Sequence, residues 1–135
     1  MGLMLFLHRA WPGPHLPASA WRAAIGLSIL ATGLGVAQWH ARLFHRRGTA
    51  IHTFATPQVL VTSGLFGISR NPMYLGFVLA LAGLGLLLGA TTPWAVVLAF
   101  AAVVDRWYIR HEEAVMASVF GQAYRDYRRR VRRWL

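Results

Sequence analysis

Residues 73–104, MYLGFVLALAGLGLLLGATTPWAVVLAFAAVV, decide the fold. They contain no charged residue, and the polar turn sequence Thr91-Thr92-Pro93 divides them into two apolar blocks. Because this turn sequence interrupts the apolar run, we predict a tight hairpin of transmembrane helices over 73–90 and 94–109. Glycines within the first block favour close helix packing.

A second apolar stretch, AAIGLSILATGLGVAQW over residues 23–39, predicts a further transmembrane helix. Seventeen residues rise about 25 Å, close to the thickness of a bilayer core. Trp21 and Trp39 flank it, as expected for the two membrane interfaces. Gly26 and Gly33 place small residues where a neighbouring helix can approach.

The predicted fold class is therefore all-α, an integral membrane protein with about three transmembrane helices, including a C-terminal helical hairpin, followed by cytoplasmic amphipathic helices. We expect one domain over 1–135, with an N-terminal segment at 1–22 and a tail at 110–135. The 94–104 block rises only about 17 Å, so Asp105 and Arg106 fall within or just below the membrane. They either face protein or extend to the interface.

Composition excludes several classes of function. Of the 135 residues 56% are hydrophobic, four are acidic, and all fourteen basic residues are arginine. The arginines lie beside long apolar segments, so we expect membrane lipids rather than nucleic acid as partners. The absence of cysteine excludes disulfides and thiol nucleophiles, and the histidine spacing indicates no metal site.

The distribution of arginine predicts the orientation in the membrane. The linker of residues 40–72 holds four arginines, the tail from Asp105 holds eight, and the hairpin turn holds none. By the positive-inside rule the linker and the tail face the cytoplasm, as in a bacterial inner membrane. The helical run after the third span is predicted to stop at Gly121, and residues 124–133 are predicted to form a second, very basic amphipathic helix. Its arginines within 128–133 are expected to contact anionic lipid head groups. A further upstream span and the oligomeric state stay open.

Polar residues cluster at 58–74 and 105–127, and the hairpin brings both clusters to one membrane face. Before the second predicted span, Val59-Leu60-Val61 is strand-like, and a helix start near Pro72 offers free N–H groups to an anion. Arg70 beside it is either a positive-inside flank or a carboxylate clamp.

After the third span, Glu112 and Glu113 point about 100° apart on a helix. Arg106 and Arg110 share a face with Glu113, which predicts a structural ion pair. Glu112 shares its face with Asp105 and is the better candidate for a ligand contact.

Two quoted segments carry a family resemblance: LVTSGLFGISRNPMYLG, residues 60–76, and HEEAVMASVFGQAYRDYRRRVRR, residues 111–133. Together they resemble the isoprenylcysteine carboxyl methyltransferase family and its phospholipid methyltransferase relatives, with a signature of LVTxGxY, RHPxYxG and EExxLxxxFGxxYxxYxxxV. The resemblance covers roughly 56–133. Phe66 stands where many members have tyrosine, Asn71 where they have histidine, and Tyr108 where protein-modifying members carry a substrate-binding arginine.

The resemblance implies S-adenosylmethionine as cofactor, bound between the two segments. The residues it places in the cofactor site are Gln58, Val59, Leu60, Val61, Phe66, Asn71, Pro72, Met73, Tyr74, Gly76 and Glu112. The candidate catalytic residues are Arg70, Tyr74 and Arg110. No metal ligand is implied.

The expected reaction is methyl transfer to a lipidic or amphipathic acceptor that partitions into the membrane. A carboxylate or another readily ionised group is favoured, because no clear base for an amine is visible. A phospholipid N-methyltransferase, a non-catalytic membrane scaffold that retains the fold, and a transporter are the alternatives.

Overall fold

The computed structural model describes residues 1–17, 19–46 and 58–135, and within them the chain forms helices and no strand. Residues 56 and 57, at the start of the family resemblance, and Arg47, one of the four linker arginines, lie outside the described residues. The five α-helices are α1 (Gly2–Ala10), α2 (Ala20–Arg46), α3 (Pro72–Leu88), α4 (Pro93–Val103) and α5 (Arg110–Arg130). A 3-10 turn at Gly64–Gly67 precedes α3, and a π-helical segment at Val104–Ile109 joins α4 to α5.

The all-α prediction is confirmed. Helix α3 begins at Pro72, where a helix start was predicted, and α4 begins at Pro93, one residue before the predicted start at 94. Within the described chain, one helix is long and apolar enough to cross a membrane, over Ala20–Leu43 of α2. The apolar helix α3 is shorter, at 17 residues. The count of three membrane spans therefore stays a prediction.

Two details of the predicted elements are wrong. Val59-Leu60-Val61 forms no strand, although Val61 is buried. The basic helix ends at Arg130 rather than Arg133, since Val131 is extended. The predicted break at Gly121 is present, as that residue alone within α5 has non-helical angles (φ 51°, ψ −119°).

The chain divides into two compact units. The packing unit comprises Met1–Gly35 and Gly76–Val103, and the polar unit comprises Val36–Leu75 and Val104–Leu135. The packing unit contains one core cluster around Met4, Leu81 and Val97. The first of these residues lies on α1, a helix that the sequence interpretation did not predict, and it is fully buried.

Glycine brings α2 and α3 into backbone contact within the packing unit. A Cβ on Gly33 would overlap the backbone of Ala80, and a Cβ on Gly83 would overlap the backbone of Leu30. The predicted role of small residues in close helix packing is therefore confirmed at these positions. Gly85 faces the ring of Trp94, so it serves the hairpin instead.

The hairpin turn is tied to the segment before α2. Leu16 N–H donates to the Gly89 carbonyl at 2.7 Å, and Thr91 N–H donates to the Pro14 carbonyl at 3.2 Å. Arg22 donates to the carbonyls of Leu16 (2.6 Å) and Pro17 (2.7 Å). Leu16 and Pro17 lie outside the helices, so Arg22 supplies hydrogen bonds to carbonyl groups that have no helical partner.

Candidate active site

The loop ahead of α3 is held by aromatic residues of the polar unit. Phe66 is buried in the 3-10 turn, with its ring centroid 5.6 Å from that of His40 and 6.5 Å from that of Trp39. Tyr127 donates its hydroxyl to the Phe66 carbonyl at 2.7 Å. Burial raises the pKa of Tyr127 to about 12, so this donor keeps its proton at neutral pH. The turn and α5 are therefore joined by a buried hydrogen bond.

Residues 69–71, just before α3, bind the backbone of the segment that follows α5. Arg70 N–H donates to the Arg132 carbonyl at 3.0 Å. The Arg133 carbonyl accepts from Asn71 Nδ2 at 3.0 Å and from the Ser69 hydroxyl at 3.3 Å. Asn71 and Ser69 are both buried, so their polar atoms are used in the fold itself.

Glu113 is the centre of an ion-pair cluster. Its carboxylate accepts from Arg70 Nη2 at 2.8 Å and from Arg133 at 2.7 Å and 3.2 Å. The side chains of Arg70 and Glu113 are only 8% and 9% exposed, which places this pair away from solvent. Arg70 also donates to the Arg128 carbonyl at 3.1 Å. These hydrogen bonds to Glu113 are the main reason why the pKa of Arg133 lies above its usual value.

Asp105 joins the same cluster from the π-helical segment. Arg133 Nη1 lies 3.2 Å from both carboxylate oxygens of Asp105, and Trp134 Nε1 donates to one of them at 3.0 Å. Asp105 and Glu113 therefore share Arg133 as an ion-pair partner, and all four acidic residues of the chain belong to the polar unit.

The π-helical segment changes which charged residues share a helix face. Residues eight apart, such as Asp105 and Glu113, lie about 80° apart on an α-helix, but one inserted residue reduces this to about 20°. The same insertion moves Arg106 from about 20° to about 120° away from Glu113. The prediction that Glu113 forms a structural ion pair is confirmed, but its partners are Arg70 and Arg133 rather than Arg106. Asp105 shares Arg133 with Glu113.

Glu112, the first residue of the acidic pair, contacts the first turn of α3. Tyr74 donates its hydroxyl to Glu112 Oε1 at 2.7 Å, and Tyr74 is 7% exposed. The two signature segments, far apart in sequence, thus meet through two adjacent contacts, Tyr74 with Glu112 and Arg70 with Glu113.

The structure brings some of the predicted site residues together and leaves others apart. Arg70, Asn71, Tyr74 and Glu112 converge, and Phe66 is bound to α5 through Tyr127. Leu60 packs on the cluster formed by the α5 tyrosines. Of the remaining predicted residues, three are buried (Val61, Pro72 and Gly76), Met73 is partly buried, and three are exposed (Gln58, Val59 and Arg110).

Arg133 belongs to the ion-pair cluster around Glu113, although we did not predict this from the sequence. We predicted that Arg133 contacts lipid head groups together with its neighbouring arginines. Its side chain is instead only about a quarter exposed and binds two carboxylates. The sequence does not distinguish Arg133 from its neighbours, because it stands in a run of arginines whose other members, at 128–130 and 132, are exposed.

Comparison with known proteins identifies the family. A family model described as phospholipid methyltransferase matches residues 21–123, which is more than half of the chain. The chain belongs to the phospholipid methyltransferase family. The resemblance drawn from the two signature segments is thereby confirmed.

Two curated proteins match parts of the chain. An uncharacterized protein of Haemophilus influenzae is 41% identical over 63 residues, which are 47% of this chain and the whole of that protein. A protein-S-isoprenylcysteine O-methyltransferase of Schizosaccharomyces pombe is 36% identical over 76 residues, which are 54% of this chain and 31% of the yeast protein. No solved structure matches. The family and the yeast relative both indicate a methyltransferase of the membrane type.

Proposed function

We propose that this chain is an S-adenosylmethionine-dependent methyltransferase that acts on a lipidic or amphipathic acceptor at a carboxylate or another readily ionised group. The observation that carries the proposal is the meeting of the two signature segments through Tyr74 and Glu112. Membership of a methyltransferase family supports the same reaction class.

The residues around this contact fit the proposed cofactor chemically. When bound, S-adenosylmethionine supplies a methyl group on a positively charged sulfur. An aromatic ring stabilises a nearby cation by about 0.5 to 2 kcal/mol, and Tyr74 presents such a ring. A partly buried carboxylate, Glu112, can accept hydrogen bonds from amino or hydroxyl groups.

We assign the predicted site residues by what each one contacts. Tyr74 and Glu112 bind the cofactor, with Pro72, Met73 and Gly76 forming the helix start beside them. Arg70 and Asn71 hold the loop against α5 and so position that pair. Phe66 and 58–61 form the adjoining wall, and the exposed Arg110 is assigned to the acceptor.

Binding of the cofactor is tested by isothermal titration of detergent-purified protein with S-adenosylmethionine. Replacing Glu112 with Gln removes the charge but keeps the shape, and a charged hydrogen bond is worth about 1.5 to 3 kcal/mol, so we expect about 10- to 100-fold weaker binding. The matched control is Asp126→Asn, which removes an acidic group from the exposed part of α5 and should bind normally. If the wild-type protein did not bind S-adenosylmethionine, the proposed function would be wrong and the non-catalytic scaffold would be favoured.

A second candidate, phospholipid N-methylation, is favoured by the description of the matching family. The yeast relative instead carries the name of an O-methyltransferase. Incubation of membranes with methyl-labelled cofactor separates the two, because alkali releases the label from a methyl ester and leaves an N-methyl group intact.

For the membrane arrangement we propose one domain over 1–135, with spans at 23–39, 73–90 and 94–109 and the site facing the cytoplasm of a bacterial inner membrane. The absence of cysteine permits a direct test with single introduced cysteines. Thr91→Cys in the hairpin turn and Ser118→Cys on α5 replace exposed residues. A membrane-impermeant thiol reagent should label only the first in intact cells, and equal labelling of both would contradict the arrangement.

A further inference from the structure

Arg133 differs from the arginines around it in what it contacts. Its guanidinium donates to both oxygens of Glu113 and lies within hydrogen-bond distance of both oxygens of Asp105. Its carbonyl accepts from Ser69 and Asn71. One residue thus joins the loop before α3, the π-helical segment and the first turn of α5.

We infer that Arg133 is a positioning residue of the proposed cofactor site, acting through Glu113 to hold Glu112 against Tyr74. This inference rests on the proposed function. The first step is geometric: Glu112 and Glu113 are adjacent in one helical turn, so a shift of Glu113 carries Glu112 with it. Displacements of about 1 Å at a site of this kind are enough to cost about 100-fold in activity.

The second step is electrostatic. Arg70 and Arg133 offset the charges of Asp105 and Glu113, because Arg133 pairs with both acids and Arg70 pairs with Glu113. Without Arg133, Glu113 keeps Arg70 but loses its contact with a second arginine, and Asp105 keeps the hydrogen bond from Trp134 but loses its ion pair. A buried acid that loses its partner either moves toward another cation or becomes protonated. Both responses disturb the first turn of α5.

The third step concerns the choice of arginine. A planar guanidinium presents several N–H groups in a fixed fork and can bind two carboxylates at once, which the point charge of lysine does poorly. We therefore expect Arg133→Lys to restore only part of what Arg133→Met removes. The matched control is Arg132→Met, because the Arg132 side chain is exposed and its backbone carbonyl, which binds Arg70, is retained.

The experiment measures the dissociation constant for S-adenosylmethionine by titration, using only protein that elutes as a single folded species. We expect Arg133→Met to bind at least tenfold more weakly than wild type, Arg133→Lys to lie between them, and Arg132→Met to stay within twofold of wild type. If Arg133→Met does not fold, the dissociation constant of Arg133→Lys relative to that of wild type tests the inference instead.

A double-mutant cycle tests the route through Glu113. In a Glu113→Gln background, Arg133→Lys should weaken binding by less than twofold further, because the contact that it disrupts is already impaired. Fully additive effects would overturn this route. Wild-type affinity in folded Arg133→Met or Arg133→Lys would overturn the inference alone, whereas absence of binding by the wild-type protein would overturn the proposed function and this inference with it.

Discussion

Replacing Glu113 with Gln should destabilise the protein strongly, even though the side chain hardly changes in size. The carboxylate is 9% exposed and receives three hydrogen bonds from Arg70 and Arg133. Removing one partner of a buried ion pair costs about 3 to 5 kcal/mol. Since Arg133 is 26% exposed and keeps its contact with Asp105, we expect a smaller loss, about 2 to 3 kcal/mol.

The free energy of unfolding can be measured in mixed micelles with increasing dodecyl sulfate, followed by the fluorescence of the six tryptophans. The matched control is Asp126→Asn, which breaks an exposed pair with Arg129 and should leave the transition unchanged. If Glu113→Gln unfolded at the same detergent fraction as this control, the cluster would not stabilise the fold and the reasoning would be refuted.

Three further predictions concern packing, backbone and pH. Gly33→Val should prevent stable folding, because its side chain would overlap the backbone of α3. Gly35→Ala should be tolerated, since beyond the neighbouring backbone of α2 no described atom lies within 4 Å of the new Cβ, and size-exclusion profiles compare the two variants. Gly121→Ala should cost about 1 to 3 kcal/mol for its left-handed angle alone, and an unchanged unfolding transition would contradict this. The free energy of unfolding should fall as the pH rises from about 10 to 12, because Tyr127 loses its proton in the unfolded chain at a lower pH than in the folded protein. In Tyr127→Phe this fall should be smaller.

Helix positions follow from the sequence because they depend on local chemistry. Apolar runs and the prolines at 72 and 93 predicted α2, α3 and α4, and the glycine at 121 predicted the break in α5. The two signature segments indicated the family, which the match over residues 21–123 confirms. Strand-like residues at 59–61 were misleading, since β-branched residues form a strand only where a partner strand is present.

The identity of the contacts within the site depends on the tertiary structure. One π-helical insertion at Val104–Ile109 rotates every later residue, and in the resulting arrangement Asp105 and Glu113 share Arg133. Arginine periodicity cannot separate Arg133 from its exposed neighbours, because the distinction arises where an extended segment meets the loop before α3. The sequence by itself determined the helices and the pair of segments that form the site, whereas only the fold decided which charges in those segments meet, since ion pairing requires contact between residues distant in the chain.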